Sequence, residues 1–206
     1  MKKIGIMGGT FNPIHYGHLF LAENAFEQMN LDEILFMPSN NPPHKINKDI
    51  VANEHRKAMV QLAICDNPHF KLSTLELERE GITYTADTLS ILTKEQPDTE
   101  FYFLVGADSF LNLQNWKDPK IILSLCTLLV FERDKVGNDI MNKHLEYLKS
   151  TFPGAKISLL HMPTIQISSA MIRDRIANRK SIRYYVPDEV MTYIEKHQLY
   201  SAIAKE

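Results

Sequence analysis

Short apolar runs alternate with amphipathic stretches along this chain, and that alternation constrains its fold more than any other feature. Lys3 to Met7, Glu33 to Met37, Phe101 to Val105, Leu128 to Phe131 and Ile157 to Leu160 have the length and character of strands, and Phe70 to Leu77 reads as one or two more. Between them, Tyr16 to Met29 places Leu19, Ala22, Phe26 and Met29 at helical spacing. Asn53 to Cys65 is amphipathic, with Asn53 a candidate N-cap. Ala86 to Lys94, Asp139 to Lys149, Ser168 to Ile176 and Pro187 to Lys196 read as further helices. The run Phe-Tyr-Phe-Leu-Val at 101–105 is apolar on both faces, as expected of a strand in a parallel sheet covered on both sides. Strands alternating with helices predict an α/β fold with a parallel sheet and right-handed crossovers.

Composition narrows the partners. The chain has 206 residues, with 23 Lys+Arg against 25 Asp+Glu, and no repeat or linker interrupts it. One domain over 1–206 is expected, large enough to bury a sizeable core. The near-neutral balance argues against a nucleic-acid or membrane partner, while leaving room for a local positive pocket. Cys65 and Cys126 lie in apolar runs and read as small hydrophobes in a reducing cytoplasm. Gly5, Gly8 and Gly9 break the N-terminal apolar stretch, so a leader peptide is not expected. The longest apolar run, Ile121 to Phe131, is too short for a membrane span.

In parallel sheets ligands bind beyond the carboxyl ends of strands, and the unusual residues fall there. After the first strand comes Gly8-Gly9-Thr10-Phe11-Asn12-Pro13-Ile14-His15-Tyr16-Gly17-His18. A glycine pair, a hydroxyl and two histidines at the opening of a helix describe a phosphate cradle of donors with little bulk. If both histidines are helical they share one face. A metal pair is the alternative, but no third ligand is evident. Near the other end stands Ile167-Ser168-Ser169-Ala170-Met171-Ile172-Arg173, two serines at a helix start and an arginine able to fork onto phosphate. Arg175, Arg179, Lys180 and Arg183 follow as a local positive excess, of which Arg175, Arg179 and Lys180 read as a solvated face. Tyr84 and Thr85 stand at another helix start, whose N–H groups can take a carboxylate without any cation. Gly106 and Asp108 follow the central strand, with the only tryptophan, Trp116, shortly after. Trp116 is suited either to stacking on a planar ring or to the core. Ser39 to Asp49 reads as a long polar loop.

Gly9 to Pro13 with His15-Tyr16-Gly17-His18 resembles the (H/T)xGH signature of the nucleotidyltransferase superfamily related to class I aminoacyl-tRNA synthetases. Ile-Ser-Ser-x-x-Ile-Arg resembles its second signature, ISSxxIR. Within that superfamily the chain is most similar to the bacterial nicotinate-mononucleotide adenylyltransferase family, over essentially its full length. The resemblance implies a Rossmann-like doubly wound parallel sheet with a small C-terminal helical part at about 167–206. It implies adenylyl transfer from ATP to nicotinate mononucleotide, giving deamido-NAD and pyrophosphate, with Mg²⁺ accompanying ATP. His18, His15, Thr10 and Arg173 would carry the chemistry. Gly8, Gly9, Phe11, Gly106, Asp108, Ile167 and Ser168 would join them in holding ATP. Lys45, in the segment Pro42-Pro43-His44-Lys45, together with Tyr84, Thr85 and Trp116 would hold the mononucleotide. A homodimer is left open.

Overall fold

The structure, a computed structural model, describes residues 1–40, 50–133, 138–163 and 165–201. Its elements run in chain order as β1 (Lys2–Gly9), α1 (Tyr16–Met29), β2 (Glu33–Pro38), α2 (Asn53–Ile64), β3 (Phe70–Leu72), α3 (Thr85–Glu95), β4 (Thr99–Gly106), α4 (Ala107–Leu111), α5 (Pro119–Leu125), β5 (Cys126–Arg133), α6 (Asn138–Thr151), β6 (Lys156–Met162), α7 (Ser169–Ala177) and α8 (Asp188–Lys196). All strand pairs are parallel, in the order β3-β2-β1-β4-β5-β6. This is a Rossmann-like α/β sheet, wound outward in both directions from β1 and β4.

Two apolar layers cover the sheet. In β4, Tyr102 and Leu104 join the layer that contains Ala22, Met59 and Ile194. Phe101, Phe103 and Val105 join the opposite layer, with Leu89, Ile122 and Leu148. Period-two alternation thus feeds both faces, and that is why 101–105 is apolar without a break.

β1 and β4 pair only from Lys2↔Thr99 to Ile6↔Phe103, yet each strand continues three residues further, to Gly9 and Gly106. The two strands therefore part at their carboxyl ends. This is the switch point of the doubly wound sheet, where a crevice is expected.

The structure differs from expectation in several local places. Gly8 and Gly9 do not follow the first strand but extend it, pairing with Met37 and Pro38 of β2. The stretch 107–125 holds α4, a 3-10 turn at Leu113–Asn115 and α5, none of which the apolar pattern separates. The run Ile121 to Phe131 divides between α5 and β5, since a short continuous apolar run fits either period. Only Phe70–Leu72 of the stretch 70–77 is strand. Cys126 is buried, but Cys65 is exposed at the end of α2. The N-cap of α2 is Ala52 rather than Asn53, whose side chain is engaged elsewhere. No helix among the described residues is long and apolar enough to cross a membrane.

Candidate active site

The loop from Thr10 to His15 leaves β1 and is tied down from distant parts of the chain. Arg173 Nη1 of α7 donates to the Asn12 carbonyl at 2.8 Å, and Ser169 Oγ donates to the Pro13 carbonyl at 2.8 Å. Tyr200 Oη donates to Asn12 Oδ1 at 2.9 Å, and that oxygen also accepts from the Val51 N–H at 3.2 Å. Arg56 of α2, fully buried, donates through Nη1 to the Thr10 carbonyl at 2.8 Å and through Nη2 to Asn53 Oδ1. Among the described residues no carboxylate forms an ion pair with Arg56. Its charge therefore stands behind the loop, although burial lowers its proton affinity. Such bracing suits a loop in which Phe11 takes a positive φ of 47°. The Asn12–Pro13 peptide in this loop is cis.

His15 is not helical. It caps α1 with extended backbone, and only His18 lies within the helix. Their rings nevertheless stack, 3.7 Å between centroids and 24° apart in plane. The Phe11 ring meets His18 edge-on at 5.0 Å. The His15 N–H donates to His18 Nδ1 at 3.3 Å. A neutral His18 then carries its proton on Nε2 and presents a donor there. His15 is 5 % exposed, and burial depresses its pKa to about 4, so it is neutral at physiological pH. Gly17 makes this packing possible, because a Cβ there would stand 3.0 Å from two atoms of the His15 ring.

Two cavities open at the parted strand ends. One, of about 270 Å³, is lined by His15, Gly17, Ile167, Ser168 and Ser169 among others. The other, of about 660 Å³, takes in Gly8, Gly9, Thr10, Tyr84, Thr85 and Trp116. His18, Leu21, Gly106 and Phe131 line both. Trp116 also packs edge-on to Phe103 at 6.3 Å, so it serves the core and the cavity wall together.

A cytidylyltransferase-like family model matches residues 6–175. A protein of Lachnoclostridium phytofermentans named a probable nicotinate-nucleotide adenylyltransferase is 48% identical over 200 residues, covering 97% of this chain and 100% of that one. A protein of the same name from Clostridium novyi is 42% identical over 97% of this chain and 100% of its own. This chain belongs to the nicotinate-nucleotide adenylyltransferases, within the cytidylyltransferase-like family. The fold is also that of Plasmodium falciparum nicotinic acid mononucleotide adenylyltransferase, solved complexed with APC and with NaAD. That protein shares a TM-score of 0.77 and 24% identity with this one, over 97% of this chain and 98% of its own.

Within this adenylyltransferase, most residues expected at the site do line the two cavities. Phe11, Asp108 and Arg173 do not. Phe11 is buried against His18, Arg173 holds the Asn12 carbonyl, and Asp108 lies in the first turn of α4. Lys45 falls outside the described residues. Ser168 caps α7, its Oγ accepting from the Met171 N–H at 3.2 Å. Arg56, Tyr200 and Glu76 were not expected at the site from the sequence. A signal existed for Arg56: it sits at the buried spacing of α2 with Met59, Val60 and Ala63, where an arginine needs a reason. No local signal marks Tyr200.

Glu76 lines the larger cavity, and its carboxyl accepts from Thr88 Oγ1 at 2.8 Å. Burial raises its pKa above the usual carboxylate range. The buried Thr83 hydroxyl lies against the same carboxyl, near enough to offset part of that rise but outside hydrogen-bond geometry.

Proposed function

We propose that this enzyme transfers the adenylyl group of ATP to nicotinate mononucleotide, giving deamido-NAD and pyrophosphate in NAD biosynthesis. The observation that carries the reading is the pair of cavities meeting at His18 and Gly106: two substrates can lie head to head with their reacting phosphates at the shared boundary. The relatives' names and the NaAD in the Plasmodium falciparum structure support the same chemistry. The mononucleotide 5′-phosphate oxygen attacks the α-phosphorus of ATP in line, and pyrophosphate leaves. The nucleophile is already an anion, so neither a general base nor a covalent enzyme intermediate is required. The protein contributes positioning and charge stabilisation.

On this reading Thr10 and the Nε2–H of His18 hold the α-phosphate. His15 acts as a neutral group that orients the triphosphate and fixes the His18 ring. Gly8, Gly9 and Phe11 shape the cradle, and Ile167, Ser168 and Arg173 hold the ATP side, Arg173 through guanidinium donors beyond the one spent on Asn12. Gly106 and Asp108 meet the nucleosides, Tyr84 and Thr85 receive the ring carboxylate, Trp116 stacks on the ring, and Lys45 is assigned a phosphate contact. The polar side chains at the ATP end of the cavities are those of His15, His18, Thr10 and Ser168, with Glu76 and Lys117 in the wall of the larger one. No group of three His, Cys, Asp or Glu among the described residues is placed to hold a metal. Mg²⁺ is therefore read as entering on the phosphate oxygens of ATP. We read residues 1–206 as one catalytic domain working in the cytoplasm, with or without a second copy.

A pyrophosphate-release assay with ATP and either nicotinate or nicotinamide mononucleotide tests the proposal. Preference for the acid is expected. Preference for the amide, or release with neither, overturns it.

A further inference from the structure

Lys117 follows Trp116 and, among the described residues, is the one lysine or arginine lining the larger cavity. Its ammonium stands 3.2 Å from Asp87 Oδ2 and 3.4 Å from Oδ1, and 4.5 Å from the centroid of the Tyr84 ring. Tyr84 is the N-cap of α3 and Asp87 is in its first turn, so the cation sits at the positive end of an 11-residue helix. The Tyr84 side chain makes no capping bond there. A second, independent feature points to a ligand at the same place. The Thr83 Oγ1 is buried, has no hydrogen-bond partner, and belongs to a residue of the same cavity wall.

We propose that Lys117 is a specificity-determining residue: its ammonium selects a mononucleotide whose ring bears a carboxylate, in competition with Asp87. This rests on the adenylyl-transfer reading above and names what in this chain distinguishes acid from amide. Electrostatics call for such a cation. Glu76 stands in the cavity wall and Asp87 in the first turn of α3, beside Lys117. An anion entering at the α3 start would be opposed by these acids, and a cation there offsets them. The other cation nearby, Arg79, is already engaged: its Nη1 donates to Thr88 Oγ1 at 3.0 Å and its Nη2 stands 3.7 Å from Asp87. Lys117 remains available. Its pairing with Asp87 is exposed on both sides, the kind of ion pair that contributes little and exchanges readily. Its flexible stem can swing the ammonium from Asp87 to a ligand carboxylate over the Tyr84 ring. A neutral ring amide gains little from such a donor, whereas a carboxylate gains a charge-assisted bond.

The test measures kcat/KM by pyrophosphate release for nicotinate and nicotinamide mononucleotides in the wild-type enzyme, Lys117→Met and Asp87→Asn. Lys117→Met is expected to lose about tenfold on the acid, through KM, and far less on the amide, the scale of one partly exposed charge-assisted contact. Asp87→Asn removes the competitor and should hold or raise the acid-to-amide ratio. Equal losses on both substrates in Lys117→Met, or a lowered ratio in Asp87→Asn, assign the pair a structural role and overturn the inference. The wild-type enzyme supplies a check that needs no variant: its acid-to-amide ratio should fall as salt rises from 0.05 to ~0.5 M, since the contact is screened. A salt-independent ratio overturns the inference as well. If wild-type enzyme turns over neither mononucleotide, the adenylyl-transfer reading fails. If it works with nicotinate mononucleotide while Lys117→Met leaves the ratio unmoved, only the role of Lys117 fails.

Discussion

His15 and Arg56 are both buried, and each shows how a polar side chain inside this fold is used without a carboxylate to pair it. His15 is kept neutral by desolvation, so folding must exclude its proton. Its unfolded pKa of 6.5 lies above the folded value of about 4, so protons favour the unfolded chain between those pH values. The contribution is complete above pH ~6.5 and is lost as pH falls towards 4, reaching about 3 kcal/mol. Urea midpoints at pH 7 and pH 5 should show this loss, and His15→Gln should flatten it. Arg56 keeps the Thr10 carbonyl in place from behind. Arg56→Met should lower stability by about 1–3 kcal/mol, the scale of hydrogen bonds from a charged group, and weaken ATP binding by loosening the loop. Calorimetry with ATP and urea unfolding together check it; intact ATP affinity would confine Arg56 to stability. These two residues also mark the limit of reading a sequence. His15 was legible as a site residue from its spacing to His18. Its neutrality was not, because desolvation depends on burial that only folding sets.

At the scale of elements, the parted ends of β1 and β4 make the site. Pairing stops at Ile6↔Phe103, and the next three residues of each strand become cavity wall. Gly106 ends β4 with φ −76° and ψ 164°, a conformation any residue adopts, and a Cβ there would meet nothing within 4 Å. Gly106→Ala should therefore leave the melting temperature nearly unchanged, yet raise KM for both substrates several-fold, since the methyl projects into space shared by both cavities. An unchanged KM would show that substrates pass wide of β4. The strands themselves were legible from apolar runs and Tyr16–Met29 from its period. α4 and α5 were not: α4, at five residues, is too short to show a period, and the apolar run 121–131 satisfies helix and strand alike, so that only docking beside α3 and β5 assigns its first half to α5.

Across the whole molecule, the two thiols report on cooperativity. Cys126 opens β5, is buried in the layer with Phe103 and Leu128, and its thiol is pushed up to about 12 by burial. Cys65 is exposed. At pH 8 a maleimide should modify one thiol in the native protein and both in denaturant, the second at the rate of global opening. Rapid modification of both in native buffer would reveal local opening of the β4–β5 region. The C-terminal segment belongs to this scale as well: Tyr200 reaches back 188 positions to Asn12, and Ser169 reaches back 156 positions to Pro13. The α/β class, the parallel sheet, both signature segments and the family lay in the sequence alone, since apolar period and motif spacing are local properties of the chain. The tertiary structure alone decided where β1 and β4 part, which cavities meet at His18, that His15 is neutral, and that Arg56 and Tyr200 brace the loop from Thr10 to His15. Those outcomes depend on desolvation and on partners distant in sequence, and only packing brings such partners together.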